Sequence, residues 1–289
     1  MTIEIRPLQT IDDLRAAVNL QQHILGEHAS GVWRLPQLVD IQHSSGLLLG
    51  AQVAAPQSHD SLDAILIDLL STVEGYAARR TIAWAVCPQR RSQGIGTKLR
   101  IIERAALQRD AVDLVYWDVD PLNSIEIYIA LNKLGGILVG YHCNMLGSSR
   151  DGRAPGLATD RVRCEWWIDS PRVVGILDHG KKLPHHTIGL NEMTVLTKTT
   201  VLQTGLRGVV ESESPISGNH VLVEIPERLD ELQVRDYAAA IQWRLQSRRL
   251  MEQLFGVGYM GVGLIHEGGR SFLLFTKGTR RTELSATGK

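Results

Sequence analysis

Cysteine is scarce in this chain: three in 289 residues, Cys87, Cys143 and Cys164, odd in number and widely spaced. A disulfide framework is therefore not expected, and a reducing cytoplasm is the expected compartment. Charge of one sign is also missing. The 31 Lys and Arg residues balance 31 Asp and Glu, for a formal net charge of +0. That removes the electrostatic drive toward nucleic acid or an anionic membrane as partner. No apolar run reaches the roughly 20 residues that a membrane span needs. The opening MTIEIRPLQ lacks an apolar core, so no secretory signal is expected there. His142-Cys143 has no third ligand at useful spacing, so packing rather than metal or nucleophile chemistry is expected, and no metal. What remains is 44% hydrophobic and 21% charged, ordinary for a globular chain with a sizeable core. The length suits one large domain or two ordinary ones.

Periodicity divides the chain into alternating elements. Residues 2–6 alternate like a short strand. Thr10 and Asp13 mark a helix start, and the helix extends to about Leu25. Residues 46–54 (GLLLGAQVA) are a buried strand. Residues 62–73 are apolar enough for strand or buried helix, and an irregular strand is the favoured reading. Residues 81–86 (TIAWAV) form a strand, 97–108 an amphipathic helix and 112–119 (VDLVYWDV) another strand. A helix over 122–134 stops at Gly135-Gly136. Strands follow at 137–143 and 160–168, separated by a loop over 147–159. Residues 169–219 are strand-like in pieces and rich in turns. A strand at 221–225, one long helix over 229–255, and a hairpin across Glu267-Gly268-Gly269-Arg270 complete the pattern. The tail from Lys277 is expected to fray. The last strand–helix–hairpin run echoes residues 112–168. The layout is α/β, with domains at 1–168 and 169–289.

The stretch Arg91-Ser92-Gln93-Gly94-Ile95-Gly96 joins a strand to a helix. Glycines allow close backbone approach, and a helix N-terminus offers N–H groups and partial positive charge. A pyrophosphate suits such a cradle. The dinucleotide fingerprint is not met, because Thr97, Lys98 and Leu99 follow Gly96. The lysine-Ser/Thr pair of a nucleotide-triphosphate loop is missing too.

Arg91, Gly94 and Gly96 instead resemble the Arg-x-x-Gly-x-Gly motif of the GNAT superfamily of acyl-CoA-dependent N-acyltransferases. The likeness runs from Pro88 through Leu99, the strand at 114–119 and the following helix. Asp120-Pro121-Leu122, Asn132-Lys133-Leu134-Gly135, Asp160-Arg161, Trp243-Arg244, Arg248, Phe255 and Gly258-Tyr259 resemble a branch of larger members with a C-terminal extension. The resemblance implies a GNAT-like mixed central sheet with flanking helices. The α/β extension would read as a degenerate GNAT-like half. It also implies that acetyl-CoA or another acyl-CoA is held by Val86, Arg91, Gln93, Gly94, Ile95, Gly96 and Thr97, without a metal. The thioester would lie between the strand ending near Val86 and the strand at 114–119. A backbone N–H near residues 85–87 would polarise its carbonyl.

Two departures accompany the resemblance. The family's general-acid tyrosine position, one turn before Gly135, holds Leu131. Tyr128, a further turn back, is the candidate substitute, against a plain core role. The strand at 81–84 carries neither histidine nor carboxylate, and the nearest acid is Glu74. Asp118 and Asp120, two apart at a strand end, are candidates for binding the acceptor amine, and Glu165 for pointing into the substrate pocket. Asp120 is expected to cap the following helix, and Glu165 has an outward-pointing alternative beside Arg163. His185-His186 reads as a solvent-facing turn. Arg244, Arg248 and Arg249 read either as a clamp for an acidic substrate or, slightly preferred, as a solvated helix face. The expected activity is transfer of an acyl group to a small-molecule amine, an amino acid among the candidates. The alternatives are a catalytically silent acyl-CoA sensor or partner, or a decarboxylase or thioesterase on the same scaffold. A homodimer is one open assembly.

Overall fold

The computed structural model describes residues 2–27, 29, 31–53, 61–147, 156–183, 193–210 and 215–278. His185-His186, most of the loop at 147–159 and the tail beyond Gly278 lie outside these residues. The chain divides into two compact units, 1–117 and 118–289. The boundary read at 168/169 falls inside the second unit.

Unit 1 starts with strand β1 (Ile3–Pro7) and helix α1 (Ile11–Leu25). Thr10 caps α1 as expected: its hydroxyl accepts from the Asp13 N–H at 3.1 Å, and Asp13 accepts from the Thr10 N–H at 2.9 Å. Helix α2 (Leu35–His43) was not foreseen in the sequence, although Pro36 occupies its first turn. Strands β2 (Leu47–Val53), β3 (Ala64–Val73) and β4 (Tyr76–Val86) pair antiparallel in succession. The 62–73 segment is thus a strand. A two-residue turn, Glu74 (φ 51°) and Gly75 (φ 88°), joins β3 to β4, and the right-handed strand twist favours this left-handed pair. Helix α3 (Ile95–Arg109) leads to β5 (Leu114–Val119), inside which the unit boundary falls.

Alternation along β2–β4 sorts two cores. Leu48, Ile65 and Ile67 face Leu14, Ala17 and Leu38 of α1 and α2. Leu49, Ala51, Ala64 and Leu66 face Ile95 and Leu99 of α3. The strands are buried on both faces, which is why their sequences read as nearly continuous apolar runs.

Unit 2 begins with α4 (Ser124–Tyr128), which continues as a π-helical turn over residues 129–133. The expected single helix is thus a short α segment with a widened end. Asn123, rather than Asp120, caps it by accepting from the Glu126 N–H at 3.2 Å. Gly135, at φ 79°, ends it as predicted. Asn132 ties the widened turn to a distant strand, donating to the Leu264 carbonyl at 2.9 Å and accepting from the Leu264 N–H at 2.8 Å. The strands β6 (Ile137–His142) and β7 (Arg161–Trp167) pair antiparallel. Helix α5 (Pro171–Leu177) replaces the expected strand pieces, signalled by its Ser170 cap and Pro171.

Short strands β8 (Thr194–Val195), β9 (Lys198–Val201) and β10 (Arg207–Val210) precede β11 (His220–Ile225). The predicted long helix is two, α6 (Leu229–Arg235) and α7 (Tyr237–Gly256). Asp236 sits between them with a non-helical backbone (φ −154°, ψ 80°) and caps α7 through the Ala239 N–H at 3.0 Å. A mid-sequence Asp just ahead of the run Ala238-Ala239-Ala240 is the signal that periodicity overlooked. Strands β12 (Tyr259–Glu267) and β13 (Arg270–Lys277) form the predicted hairpin, with Gly268 and Gly269 at φ 58° and 70°.

In unit 2 the strand order is β7-β6-β12-β13-β11-β8. The order strand, helix, strand pair occurs twice along the chain. The two copies meet head to head where Leu138 of β6 opposes Gly261 of β12, antiparallel. The second copy has a parallel neighbour, β8 against β11, as β5 has β4. That neighbour has only two residues, and it leads to β9 rather than to a glycine turn and helix.

Candidate functional site

The turn after β4 is built to present backbone donors. A short 3₁₀ turn, Pro88–Arg90, follows Cys87, whose N–H donates to the Asp63 carbonyl at 2.8 Å. Arg90 donates to the Asp63 carboxylate at 3.1 Å, which anchors the turn to the start of β3. Arg91 donates through Nε to the Val86 carbonyl at 3.3 Å, and Gln93 to the Gln89 carbonyl at 3.3 Å. Ser92 (φ 62°) and Gly94 (φ 77°) are both left-handed, an arrangement that turns successive N–H groups inward. The first bond of α3 runs from the Lys98 N–H to the Gly94 carbonyl at 3.0 Å. The N–H groups of Ile95, Gly96 and Thr97 therefore precede the helical ladder. The cap residue supplies no side-chain hydrogen bond, and no acidic residue occupies the first turn. A Cβ on Gly94 would meet nothing within 4 Å, whereas one on Gly96 would stand 3.4 Å from the Trp84 indole. Gly94 thus faces open space and Gly96 lies against the sheet. All the predicted cradle residues, Val86, Arg91 and Gln93–Thr97, lie on this one turn.

Beside it the sheet forks. β4 and β5 are parallel but pair over three rungs only, Ala78, Arg79 and Arg80 against Leu114, Val115 and Tyr116. β4 then runs on to Val86 with β3 as its sole ladder partner among the described residues. The fork coincides with a bulge: Ile67 opposes Ala83 and Asp68 opposes Thr81, so Ile82 is an extra residue on β4. A bulge bends its strand and raises the local twist, which turns β4 away from β5. On the α1–α2 face this segment shows Ile82, Ala83 and Ala85. Glu74, the nearest acid in sequence, is at the opposite tip of the 11-residue β4, about 30 Å from Val86 at strand rise. It plays no part at the fork.

The α3 face of the fork holds an ionic cluster that sequence reasoning missed. Arg100 is 0% exposed, and its guanidinium carbon lies 4.4 Å from the Trp84 ring centre and 4.1 Å from that of Trp117. The two indoles are edge to face, 6.2 Å between centres. Nη1 donates to Thr81 Oγ1 and Glu103 Oε2, both at 2.9 Å. Nε and Nη2 are buried with no hydrogen-bond partner, as are both indole nitrogens. Glu103 is fully buried, and burial pushes its pKa well above the carboxylate range; Asp68, to which it hydrogen-bonds, pushes it further against the pull of Arg100. Asp68 is also buried, and among the described residues no N–H or hydroxyl donates to it. Arg100 and Glu103 sit three apart on a helix that reads as amphipathic. Their burial was visible only as polar residues on its apolar side.

The remaining predicted residues lie in unit 2. Tyr128 is 37% exposed on α4, with the Lys133 ammonium 5.6 Å from its ring centre. Asp118 accepts from Arg163 Nε at 3.4 Å. Glu165 is 1% exposed and accepts from the Trp167 indole at 3.2 Å, so it points inward rather than outward. Asp120 does not cap a helix: both its oxygens bind Arg244, at 2.8 and 2.7 Å. One turn on, Arg248 grips Asp160 at 2.9 and 2.8 Å, and Tyr141 donates to the same carboxylate at 2.6 Å. Neither arginine is on a solvated face, since Arg244 is 2% exposed and the Asp160 partner of Arg248 is buried. Cys143 donates to Glu252 at 3.0 Å and its thiol is pushed up to about 11, first by burial, which leaves little thiolate at neutral pH. Among the described residues no group of three or more His, Cys, Asp or Glu side chains could hold a metal ion, and no helix is long and apolar enough to cross a membrane.

Among solved structures, the chain is similar to the ribosomal-protein-S18-alanine N-acetyltransferase from Escherichia coli. The identity is 20% and the TM-score 0.44, over 58% of this chain and 94% of that one. It is similar to an N-acetyltransferase from Staphylococcus aureus Mu50 at 14% identity and TM-score 0.45, over 58% and 99%. An acetyltransferase of GNAT family from Streptococcus pneumoniae gives 13% and 0.45, over 57% and 98%. No family model and no curated protein matches the chain. The fold itself is α/β, a mixed sheet flanked by helices.

Proposed function

We propose that the chain is an acyl-CoA-dependent N-acyltransferase of GNAT type, with acetyl-CoA the simplest donor and a small-molecule amine, an amino acid among the candidates, as acceptor. The observation that carries this reading is the conjunction at α3. A glycine turn with N–H groups ahead of the helical ladder abuts a parallel strand pair that unzips after three rungs. The turn suits a pyrophosphate, and the unpaired edge of β4 offers backbone groups to an amide-bearing arm. Coenzyme A combines those two parts, a pyrophosphate and an amide-bearing arm.

In this reading the N–H groups of Ile95, Gly96 and Thr97 hold the diphosphate, and Arg91 adds positive charge. The arm lies along β4, and a backbone N–H near residues 85–87 polarises the thioester carbonyl. The amine attacks that carbonyl. The new N–C bond forms as the C–S bond breaks, the amine proton leaves to water, and the thiolate takes a proton. Tyr128 is the donor assigned to the thiolate. The β4 edge carries no ionisable side chain between Thr81 and Val86, so the acceptor has to arrive as a free amine or lose its proton to water. Asp118 and Glu165 are the carboxylates assigned to the acceptor, and Arg163 and Trp167 would have to release them. The same apolar edge favours a second reading, an acyl-CoA-binding protein without turnover.

Titration of the purified chain with acetyl-CoA by calorimetry tests the reading, with thiol release across an amine panel as the assay of turnover. Gly94→Trp fills the open side of the turn and should abolish binding while leaving the circular dichroism unchanged. Undiminished binding in that variant would remove the cradle assignment. Tight binding with silence across the panel would favour the second reading.

A further inference from the structure

We propose that Arg100 is a positioning residue: wedged between Trp84 and Trp117, it sets the width of the fork through which the pantetheine arm of the acyl donor passes. The inference rests on the acyl-CoA reading above and adds to it the device that holds the gap.

Paired strands keep about 4.8 Å apart by their hydrogen bonds. Past Arg80 and Tyr116 those bonds stop. Trp117 follows Tyr116 directly on β5, and Trp84 lies on the unpaired part of β4. Both rings turn to the α3 face, and the guanidinium of Arg100 occupies the space between them, 4.1 and 4.4 Å from their centres. Its other anchor, Thr81, is opposite Asp68 at the bulge where β4 bends away. One side chain from α3 therefore touches both arms of the fork and its base. A cation on the faces of two desolvated indoles attracts both and prevents their collapse onto each other. The geometry gives Arg100 two opposed tasks, holding the strands together across a gap without hydrogen bonds and holding them apart. Burial suits this, because a guanidinium with Nε and Nη2 unpartnered keeps its field for the rings. Arg100 also aligns the gap with the cradle, because Gly96, one turn ahead of it on α3, rests against Trp84.

The test compares two ligands that share the cradle and differ in the arm: acetyl-CoA, and adenosine 3′-phosphate 5′-diphosphate, which lacks pantetheine. The variants are Arg100→Met, and Arg100→Met with Asp68→Asn, which removes a buried carboxyl together with the guanidinium should the single change fail to fold. The expected result is a loss of about tenfold or more in affinity for acetyl-CoA, with the nucleotide bound as in the parent protein. Equal losses for both ligands, or none for either, would overturn the proposal, since a merely structural arginine would not distinguish them. A second measurement uses the unmodified chain. Tryptophan fluorescence should change with acetyl-CoA and not with the nucleotide, and the change should vanish in Trp84→Phe or Trp117→Phe. A change of equal size with both ligands counts against the wedge. If the unmodified chain binds neither ligand, the acyl-CoA reading itself fails and takes this inference with it.

Discussion

Single residues carry the sharpest consequences in unit 1. Glu103, Asp68 and Arg100 place three ionisable groups in a dry interior, where an unpaired charge is expensive. The Glu103 pKa is raised on folding, first by burial and then by Asp68. A carboxyl raised in this way favours the folded state below the ordinary carboxylate range, and that contribution is lost as pH rises through its folded value. Stability should therefore decline from mildly acidic toward alkaline pH. Glu103→Gln, neutral at every pH, should flatten that decline. Thermal midpoints of parent and variant across the range would decide it, and parallel curves would count against the raised Glu103 carboxyl. Asp13 has the opposite sign. The Arg6 guanidinium, 2.6 Å away, holds its carboxyl below the usual range, so its contribution appears above that range and fades in acid. These roles were not legible in the sequence. An Arg-x-x-Glu spacing on a helix describes an exposed ion pair as well as a buried one, and burial is decided by what packs on it.

At the scale of elements, ends were read better than interiors. The Thr10 cap, the Gly135 stop and the Gly268-Gly269 turn are chemical signals confined to a few residues, and each stands where predicted. The errors were breaks inside periodic stretches. Residues 229–255 keep a helical apolar stripe, and Leu232, Ala240, Trp243, Leu250 and Leu254 are all buried, yet the helix breaks at Asp236. Periodicity continues through a break when both halves pack on the same surface. Asp236→Ala removes the α7 cap and should cost about 1 kcal/mol, read as a lower midpoint in urea with an unchanged slope. An unaltered midpoint would mean that α7 does not depend on this cap. The widened end of α4 was also invisible beforehand. Asn132 holds it to Leu264, a partner 132 positions away in sequence.

For the whole molecule, the second unit repeats an order of elements, and the two copies meet at one pair of strands. Gly261 permits that meeting. A Cβ there would stand 3.0 Å from the Leu138 side chain. Gly261→Val should crowd this seam and destabilise the chain by about 1–3 kcal/mol, lowering the melting temperature by a few degrees per kcal/mol. A midpoint equal to the parent's would show that the seam tolerates a side chain. The parallel neighbour of the second copy has two residues and leads to β9, whereas the neighbour of the first leads through the glycine turn into α3. The repeat was legible as an echo in the sequence because helix and hairpin periods are local properties. The head-to-head join was not, because strand order depends on pairings between distant segments.

By itself, the sequence determined the α/β class, the strand–turn–helix at Arg91–Gly96 and most strand positions, because dihedral preference and side-chain period are local properties. It placed Val86, Arg91 and residues 93–97 on one turn, since they are close together in the sequence. Only the tertiary structure decided that β4 and β5 part after three rungs, that Arg100 fills the space between two indoles, and that Arg244 and Arg248 bind Asp120 and Asp160. Each of these depends on groups brought together across long stretches of chain, and on the loss of water that makes a charge choose a partner.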